Sequence, residues 1–300
     1  MITQTNRIRT SKSSVVFYLI AVTLVTIMAI ICLVPFILLI SASLSSDNAI
    51  RFNGYSFLPQ EFTLEAYGLI FKFPMRVVWA YGVSIFITAV GTFFGLFLIT
   101  MTAYVISRKT FKFRNGISFY FYFTTLFNGG MVCTYIFYIR YLHLKDNLLA
   151  LILPGMFNVF YLLIMRSFVS AIPQATIESA KIDGAGEFRI FGQIVLPLLP
   201  SGLATIGLFQ ALHYWNDWYN AMLYINSHSK FPLQYMLYDL LNRSAAMAQI
   251  ASLGGYVMEE MPTYSLKMAM AVVATGPIIL VYPFVQRFFI KGITIGSVKG

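Results

Sequence analysis

Residues 15–40 read VVFYLIAVTLVTIMAIICLVPFILLI, an apolar run that contains no charged side chain. About 20 helical residues cross the hydrocarbon core of a bilayer, so this run predicts a transmembrane helix. A basic tail with Arg7, Arg9 and Lys12 precedes it, which is also the polarity of a secretory signal peptide. The apolar part of a signal peptide is only about 7–15 residues long, so we expect a retained helix.

Five further stretches have the length and apolar character of membrane spans. Lipid offers no hydrogen-bond partner to exposed backbone groups, which excludes an open sheet, and the long unbroken runs argue against a barrel. We therefore expect an all-α integral membrane protein whose residues 1–300 form a single transmembrane domain. With the first run at 15–40, its six predicted transmembrane helices span about 77–106, 117–138, 148–168, 200–222 and 267–290.

The overall composition indicates the surroundings of the chain. Hydrophobic residues make up 58% of it and charged residues only 11%, with a mean hydropathy of +0.74. A soluble globule carries about a quarter charged residues, so this chain has too few to cover its surface in water. The formal net charge of +10 raises nucleic acid as a partner. The basic residues fall in short clusters between apolar runs, however, which argues against nucleic acid and for a lipid bilayer.

The distribution of basic residues predicts the orientation in the membrane. Six crossings place both termini on the same side. Lys and Arg concentrate in the segments on that side, whereas most of those on the other side lie in two long loops, 44–76 and 223–266. Long loops translocate largely regardless of their charge. We therefore expect both termini to be cytoplasmic, together with the segments 107–116 and 170–199.

One cytoplasmic connection is longer than a link between two helices requires. It covers Ile172–Pro200 and reads IPQATIESAKIDGAGEFRIFGQIVLPLLP. Pro173 suits the first turn of a helix, residues 174–182 are good helix formers, and Gly184 stands where a left-handed cap would end that helix. A second short amphipathic run covers 187–195. The segment therefore predicts a helix–turn–helix at the membrane surface.

The residues around the predicted turn favour contact with another protein. Small side chains let a second protein approach closely, and the small residues here are Ala175, Ser179, Ala180, Gly184, Ala185 and Gly186. Carboxylates offer charges to a basic partner, and the acidic residues here are Glu178, Asp183 and Glu187. We expect an Arg or Lys of the partner opposite Glu178, because an unpaired buried carboxylate is strongly destabilising.

The spacing of this segment matches a known motif. The motif residues are Glu178-Ser179-Ala180, Gly184 and Ile194-x-Leu196-Pro197, with three and nine residues in the two gaps. This spacing resembles the EAA loop of bacterial ABC-importer permeases, whose pattern is EAA-x3-G-x9-I-x-LP. Only Ser179 departs from that pattern, and it replaces one small side chain by another.

Other short motifs narrow the resemblance to the carbohydrate-importer branch. They are Asn128-Gly129-Gly130, Leu153-Pro154, Ile172-Pro173, Ile182-Asp183-Gly184, Trp215-Asn216-x-Trp218 and the ending Lys291–Gly300. Within that branch the chain is most similar, over nearly its whole length, to the LplC/YtcP-type permeases for complex saccharides. The resemblance implies the maltose-permease-like core of type I ABC importers. That core has six transmembrane helices and a cytoplasmic coupling helix, and it lies in the bacterial plasma membrane.

The resemblance also implies partners. They are a homologous second permease subunit, a cytoplasmic ATPase dimer, an extracytoplasmic solute-binding protein that meets the outer loop 223–266, and an oligosaccharide substrate. In that family the EAA helix docks in a cleft of the ATPase, and the C-terminal tail reaches between the two ATPase subunits. Carried over to this chain, the ATPase-coupling residues are Glu178, Ser179, Ala180, Asp183, Gly184, Lys299 and Gly300.

We expect the chain to be a transport subunit and not an enzyme. It has no Gly-rich loop ending in Gly-Lys-Ser/Thr, so we expect it to bind no cofactor, with ATP and Mg²⁺ held by the partner ATPase. Closure of the ATPases would move the coupling helix as a rigid body and alternate access between the two sides. An ungated channel has no use for such a helix, whereas a permease for a non-sugar solute would keep it.

Polar residues inside the predicted spans are candidates for the substrate path, because hydrocarbon makes them costly. Those of the fifth span share an arc of about 120° at 100° per residue, and two more lie near mid-depth of the third and fourth spans. The candidates are Asn128, Asn158, Gln210, His213, Asn216, Asp217 and Asn220. Aromatic faces such as Tyr214 or Trp215 can pack against sugar C–H surfaces. Polar residues also hold helices together, and that alternative stays open at each position.

A metal site is the remaining alternative. His213 and Asp217 stand four residues apart, a spacing that could hold a metal in an intramembrane hydrolase. The chain has only three His, however, and neither of the other two lies in a comparable motif. Cys32 and Cys133 fall inside apolar runs, where we expect packed small side chains rather than a disulfide or metal ligands. We therefore expect no metal site.

Overall fold

The computed structural model describes residues 12–127, 129–254 and 264–297. Across these ranges the chain is helical, and the only extended pairing among them is one isolated bridge between Ser45 and Phe62. The all-α class predicted from the sequence is confirmed. Asn128, Lys299 and Gly300, which we predicted to act in transport or coupling, lie outside the described residues.

The α-helices are numbered here in chain order. They are α1 (Lys12–Ser43), α2 (Asp47–Asn53), α3 (Glu65–Ile70), α4 (Pro74–Ser107), α5 (Arg114–Leu126), α6 (Gly130–Ile136), α7 (Leu149–Ile152), α8 (Val159–Ser170), α9 (Gln174–Ile182), α10 (Glu187–Ile190), α11 (Pro200–Trp215), α12 (Tyr219–Tyr224), α13 (Leu233–Gly254) and α14 (Tyr264–Ser297). Short π-helices cover Phe137–Tyr141 and Phe191–Val195, and short 3-10 helices cover Leu153–Gly155, Leu196–Leu198 and His228–Lys230.

Two stretches are long and apolar enough to cross a membrane without interruption. They are Ser13–Ser43 and Pro74–Ser107, with mean hydropathies of 2.9 and 2.2. Two further pairs of helices meet the same criteria only as bent spans. Leu149–Gly155 with Val159–Ser170 bends by 53°, and Glu187–Leu198 with Pro200–Trp215 bends by 84°. The described residues therefore contain two candidate spans, or up to four if each bent pair counts as one.

Three of the six predicted transmembrane helices are interrupted, so the prediction of a continuous helix in each is wrong. The 117–138 stretch forms α5, α6 and the following π-helix, 148–168 forms α7 and α8, and 200–222 forms α11 and α12. Local residues explain two of the breaks. Gly130 has a φ of +79°, a left-handed conformation that glycine adopts readily. Pro154 lacks the N–H that an α-helix needs and crowds the preceding turn.

The predicted sixth span, 267–290, lies within α14, which contains Pro277 and Pro283. The apolar part of α14 that the structure describes, Tyr264–Ile279, is shorter than a membrane span. The count of six transmembrane helices therefore stays a prediction.

The chain divides into two compact units. The first comprises Met1–Ile70 and Met247–Val273, and the second comprises Phe71–Ala246 and Ala274–Gly300. In the first unit the carboxylate of Asp47 caps the start of α14. Its Oδ1 accepts hydrogen bonds from the backbone N–H groups of Tyr264 at 2.7 Å and Ser265 at 2.9 Å. These two donors have no partner within the helix, so the carboxylate stabilises its first turn.

The core of the second unit is formed mainly by α4, α8 and α11. Ile99 of α4, Leu162 of α8 and Ile206 of α11 are each 0% exposed. Ile177 of α9 belongs to the same cluster of buried side chains. Closely packed side chains transmit displacement rather than absorb it, so a movement of α9 acts on the three long helices around it.

Candidate functional site

The segment between α8 and α11 forms the helix–turn–helix that the sequence predicts. α9 begins directly after Pro173 and ends at Ile182. Gly184, which is exposed, has a φ of +77° and terminates the turn in the left-handed region that favours glycine. α10 begins at Glu187 and continues through the π-helix and the 3-10 helix to Leu198. The helical prediction for this segment is confirmed, and its contact with another protein stays a prediction.

α9 buries one face and exposes the other. Ile177 and Ala180 are only 5% and 7% exposed and belong to the core cluster. Glu178, Ser179 and Asp183 are exposed. Ala180 was predicted to contact a partner, but three residues after Ile177 it lies on the same buried face. Its side chain therefore packs within this chain.

Two large apolar side chains are exposed beside the turn, and the sequence interpretation missed them. Ile182 is 86% exposed and Phe188 is 85% exposed. Scattered exposed apolar residues are ordinary, but these two flank a single short turn. Helical phase could have found them, because Ile182 and Phe188 do not share the faces on which Ile177 and Ala180 of α9 and Ile190 of α10 are buried.

The carboxylates of the segment differ in their partners. Glu187 Oε1 pairs with Lys181 Nζ at 2.5 Å, and Glu187 Oε2 accepts the Tyr104 hydroxyl at 2.5 Å. Glu187 thus has two partners within the chain, and its contact with another protein stays a prediction. Glu178 Oε1 accepts a hydrogen bond from Gln174 Nε2 at 2.6 Å and remains on the exposed face.

The chain breaks and bends between α7 and α8. Pro154 lies in the 3-10 helix that follows α7, and Asn158 is the N-cap of α8. Asn158 Oδ1 accepts hydrogen bonds from the N–H groups of Phe160 at 2.8 Å and Tyr161 at 3.4 Å. The prediction placed Asn158 at mid-depth of a continuous helix. It stands instead at a helix start, where Asn is favoured because it satisfies free backbone donors.

The backbone carbonyls on the other side of this break bond to α11. Gln210 Nε2 donates to the carbonyl oxygens of Gly155 at 3.1 Å and Met156 at 3.2 Å. The hydroxyl of Tyr214 donates to the carbonyl oxygen of Ile152 at 2.7 Å. Gln210 was predicted to line the substrate path, but its side chain is 0% exposed and holds helices together.

The second break separates α11, which ends at Trp215, from α12, which starts four residues later. The arc of polar residues predicted across 200–222 therefore does not continue past Trp215. Asp217 Oδ1 accepts the N–H of Asn220 at 3.0 Å, and its Oδ2 accepts the side-chain amide of Asn220 at 2.8 Å. These two residues bond to each other and stabilise the first turn of α12.

A pocket of ≈ 450 Å³ lies where the first turn of α8, the end of α11 and the start of α12 meet. Its lining residues are Tyr161, Phe209, Leu212, His213, Asn216, Asp217, Trp218 and Tyr219. The predicted path residues His213, Asn216 and Asp217 are thus brought together. Asn158, Gln210 and Asn220 are not among the lining residues.

Four lining residues are aromatic, and the sequence interpretation assigned none of them to a site. The rings of Tyr161 and Phe209 stack with centroids 6.3 Å apart and an interplanar angle of 12°. Trp218 stacks on Tyr238 with centroids 4.3 Å apart. Flat apolar faces beside amide, imidazole and carboxylate groups can hold the C–H surface and the hydroxyls of a sugar ring. With 28 Phe and 19 Tyr in the chain, the sequence alone does not single out these few rings.

Asp146 joins two loops at the end of the bent span remote from α9. Its Oδ1 accepts the N–H groups of Asn226 at 3.0 Å and Ser227 at 2.9 Å, and its Oδ2 accepts the Ser227 hydroxyl at 2.6 Å. Lys230 Nζ lies 2.9 Å from the same Oδ2. The Ser227 hydroxyl, the two backbone donors and the Lys230 ammonium hold the pKa of the Asp146 carboxyl well below its usual range.

Side chains that could bind a metal are not clustered among the residues that the structure describes. Across the described parts of the chain, no three His, Cys, Asp or Glu side chains lie close enough together to hold a metal ion. Both oxygens of Asp217 already accept hydrogen bonds from Asn220. Cys32 and Cys133 are free and exposed, so the prediction that they are packed is wrong.

No protein-family model matches the sequence. Curated relatives do match it. The chain is 40% identical to the polygalacturonan/rhamnogalacturonan transport system permease protein YtcP of Bacillus subtilis (strain 168), over 91% of this chain and 94% of that protein. It is 39% identical to protein LplC of the same organism, over 90% of each chain.

A solved structure is similar as well. It is the crystal structure of a bacterial ABC transporter involved in the import of the acidic polysaccharide alginate. One of its chains matches with a TM-score of 0.75 at 30% identity, covering 93% of this chain and 98% of that one. The chain belongs to the ABC-importer permease family, in the carbohydrate branch that its motifs resemble. It is a multi-pass membrane protein and a transport subunit rather than an enzyme.

Proposed function

We propose that this chain forms half of the translocation path of a bacterial importer for a uronate-containing oligosaccharide. The observation that carries the proposal is the pocket of ≈ 450 Å³, with its aromatic faces and its polar groups, in a permease of this family. This volume is within the range of sites that hold small ligands. His213 and Asn216 line the pocket with hydrogen-bonding groups of the kind that sugar hydroxyls need.

The acidic class of the substrate is proposed from two relatives. YtcP is named for polygalacturonan and rhamnogalacturonan, and the similar solved structure is of an importer of the acidic polysaccharide alginate. Polymers of this kind contain uronate units, each with a carboxylate. A relative at lower identity, 28%, is named for neutral arabino-oligosaccharides. The acidic class is therefore the better supported of the two.

The finer architecture is part of the same proposal. We propose six transmembrane helices in a single domain, cytoplasmic termini, and α9 as the cytoplasmic coupling helix. A homologous permease subunit would supply the other half of the path, an extracytoplasmic binding protein would deliver the saccharide, and an ATPase dimer would hold ATP and Mg²⁺. The exposed Glu178 and Asp183, with the apolar Ile182 and Phe188, would form the surface that meets the ATPase. Lys299 and Gly300 would reach between the ATPase subunits.

The substrate class is tested with the reconstituted complex. ATP hydrolysis is measured with the binding protein and either a galacturonate trimer or a neutral arabino-trisaccharide. We expect the galacturonate trimer alone to stimulate hydrolysis several-fold. Stimulation by the neutral sugar alone would overturn the acidic class, and no stimulation by any saccharide in a wider panel would overturn the carbohydrate assignment.

The pocket is tested by removing its rings. We expect Tyr161→Ala and Trp218→Ala to lower saccharide uptake about tenfold, because an aromatic contact contributes about 0.5–1.5 kcal/mol beyond the area it buries. ATP hydrolysis without saccharide should stay at the wild-type rate. The matched control is Tyr120→Ala, which removes an exposed ring of α5 outside the pocket. Equal losses in all three variants would contradict the assignment of the pocket.

The coupling helix is tested at its exposed carboxylate. We expect Glu178→Ala to lower saccharide-stimulated ATP hydrolysis at least about fivefold, because a buried cation of the partner would lose its counter-charge. Glu61→Ala removes an exposed carboxylate elsewhere and should leave the rate unchanged. A Glu178→Ala complex with full transport-coupled hydrolysis would show that this residue does not meet the ATPase.

A further inference from the structure

The break between α7 and α8 deprives three backbone carbonyls of their α-helical donors. In an unbroken helix the oxygens of Ile152, Gly155 and Met156 would accept N–H groups four residues ahead. Here the N–H of Met156 bonds to Leu153 O, and the N–H of Phe160 bonds to the Asn158 side chain. Inside a membrane the oxygens of Gly155 and Met156 need other donors, since hydrocarbon supplies none. The oxygen of Ile152 starts the 3-10 helix that follows α7 and has room for a second donor.

All three oxygens accept hydrogen bonds from side chains of α11. Gln210 Nε2 donates hydrogen bonds to the oxygens of Gly155 and Met156, and the Tyr214 hydroxyl donates one to that of Ile152. We refer to the side chains of Gln210 and Tyr214 as the α11 clamp. They stand four residues apart and so on one face of the helix. The break is therefore held from outside its own segment, at two successive turns of α11.

Glycines provide the space in which the α11 clamp lies. A Cβ atom at Gly91 of α4 would overlap the ring of Tyr214, and one at Gly95 would overlap the amide of Gln210. A Cβ atom at Gly155, within the break, would come 3.0 Å from both the His213 and Tyr214 rings. Helix α4 and the break thus enclose the α11 clamp from two sides with little free space.

The α11 clamp lies between the coupling segment and the pocket. Upstream, α11 follows Leu198 through the 84° bend, and its Ile206 shares a buried cluster with Ile177 of α9. Downstream, His213 lies between the two clamp residues and lines the pocket, and Tyr161 lines it from the first turn of α8. α9 also adjoins α8 directly through residues 171–173, so the α11 clamp adds a second connection, from α11 to the segment 152–156 that leads into α8.

One atom of the α11 clamp has no partner within the described residues. Gln210 Oε1 is buried and accepts no hydrogen bond there. Buried polar atoms are nearly always paired, so an unpaired one calls for a physical reason. This open acceptor is a group to which a second arrangement of the helices could bring a donor.

We propose that Gln210 and Tyr214 are positioning residues of transport. Their hydrogen bonds to the carbonyls of the α7–α8 break make the segment that leads into α8 move with α11, and so change access to the pocket when the coupling segment moves. The inference rests on the proposed transport function and adds the residues that connect its two ends.

The test measures access to the pocket and needs no saccharide. Asn216→Cys is introduced into a complex whose Cys32 and Cys133 are changed to Ser, and a membrane-impermeant maleimide labels it from one side. The labelling rate is compared between the nucleotide-free complex and the complex trapped with ATP, Mg²⁺ and vanadate. With the α11 clamp intact, we expect the rate to change at least about fivefold between the two states.

Tyr214→Phe and Gln210→Met then remove the hydrogen bonds. We expect the difference in labelling to fall below about twofold in each variant, while ATP hydrolysis stays near the rate of the intact complex. Tyr120→Phe removes a hydroxyl from an exposed residue of α5 and should keep the full difference. Tyr214→Phe deletes one oxygen atom and decides the question by itself if Gln210→Met does not assemble.

The outcomes distinguish failure of the clamp's role from failure of the proposed transport function. If the intact complex and the Tyr214→Phe complex show the same change in labelling rate between the nucleotide-free and the trapped state, the clamp is only a structural contact and the inference is overturned. The inference is also overturned if Tyr214→Phe lowers the thermal stability but keeps the full difference in labelling rate between the two states. If the intact complex itself does not respond to ATP and vanadate, the proposed alternation of access at this pocket fails first.

Discussion

The substitution Asp146→Asn tests whether one carboxylate holds two loops together. Asn keeps a single acceptor oxygen and the left-handed backbone that this position has, with a φ of 54°. The second oxygen is lost, and with it the Ser227 hydroxyl at 2.6 Å and the Lys230 ammonium at 2.9 Å. The exposed fractions of the Asp146 and Lys230 side chains are 27% and 39%, so water weakens the ion pair.

The expected loss of stability follows from these two contacts. A hydrogen bond to a charged group contributes about 1.5–3 kcal/mol, and a partly exposed ion pair contributes about 1 kcal/mol or less. We therefore expect Asp146→Asn to lower the free energy of unfolding by roughly 2–3 kcal/mol, or Tm by roughly 4–8 °C. The assay is thermal unfolding of the purified protein in detergent at pH 7.

The same contact predicts a pH dependence. The folded state lowers the pKa of Asp146, so the carboxylate stabilises the fold above its unfolded pKa of about 3.9. That contribution is lost as the pH falls below about 4 toward the folded-state pKa, because the unfolded state then binds the proton first. The difference in Tm between the wild type and Asp146→Asn should therefore narrow between pH 5 and pH 3.

The control is Asp239→Asn, which removes a carboxylate from a helical ion pair. Asp239 pairs with Arg243 at 2.8 Å on α13, four residues apart, with the Arg side chain 57% exposed. Such pairs contribute about 0.3–0.5 kcal/mol, so the Tm should change by no more than about 2 °C. Equal shifts in the two variants, or a shift for Asp146→Asn that is independent of pH, would refute this account of Asp146.

Three other substitutions have defined outcomes. Gly91→Ala places a Cβ against the Tyr214 ring and should destabilise by about 1–3 kcal/mol in thermal unfolding, whereas Gly82→Ala meets no atom within 4 Å and should be neutral or stabilising. Asn158→Ala removes the N-cap of α8 and should lower the free energy of unfolding by about 1 kcal/mol in the same assay. An unchanged Tm would show that this cap does not stabilise the protein. Ile182→Ala should reduce co-purification of the ATPase without changing Tm, since this side chain is 86% exposed in the isolated chain; undiminished co-purification would exclude it from the interface.

The segment around the EAA-like motif was the most predictable part of the chain. The helix after Pro173, its end at Ile182 and the left-handed Gly184 all appear where the sequence placed them. Each depends on a local preference, because proline, glycine and the helix formers act within a few residues of themselves. The burial of Ala180 was missed because it depends on which face of α9 meets the core.

The polar residues of the predicted fifth span were the least predictable. A single arc was expected from Gln210 to Asn220, but α11 ends at Trp215 and divides them. Gln210 turns toward the carbonyls of another segment, and Asp217 bonds to Asn220 rather than facing freely into a path. Helical periodicity carries no information on where a distant carbonyl needs a donor, so the pattern alone gave equal weight to packing and transport.

The sequence by itself determined the helical class, the membrane surroundings and the form of the coupling segment. Hydrocarbon forces the backbone to satisfy its own hydrogen bonds locally, so long apolar runs with little charge leave few alternatives to helices. Only the tertiary structure decided what the polar side chains do where the helices are broken. The carbonyls of Ile152, Gly155 and Met156 obtain their donors from residues more than 50 positions away, and the pocket takes its rings from three separate elements. Such contacts depend on the packing of α4, α8 and α11 against one another, which no local pattern of residues specifies.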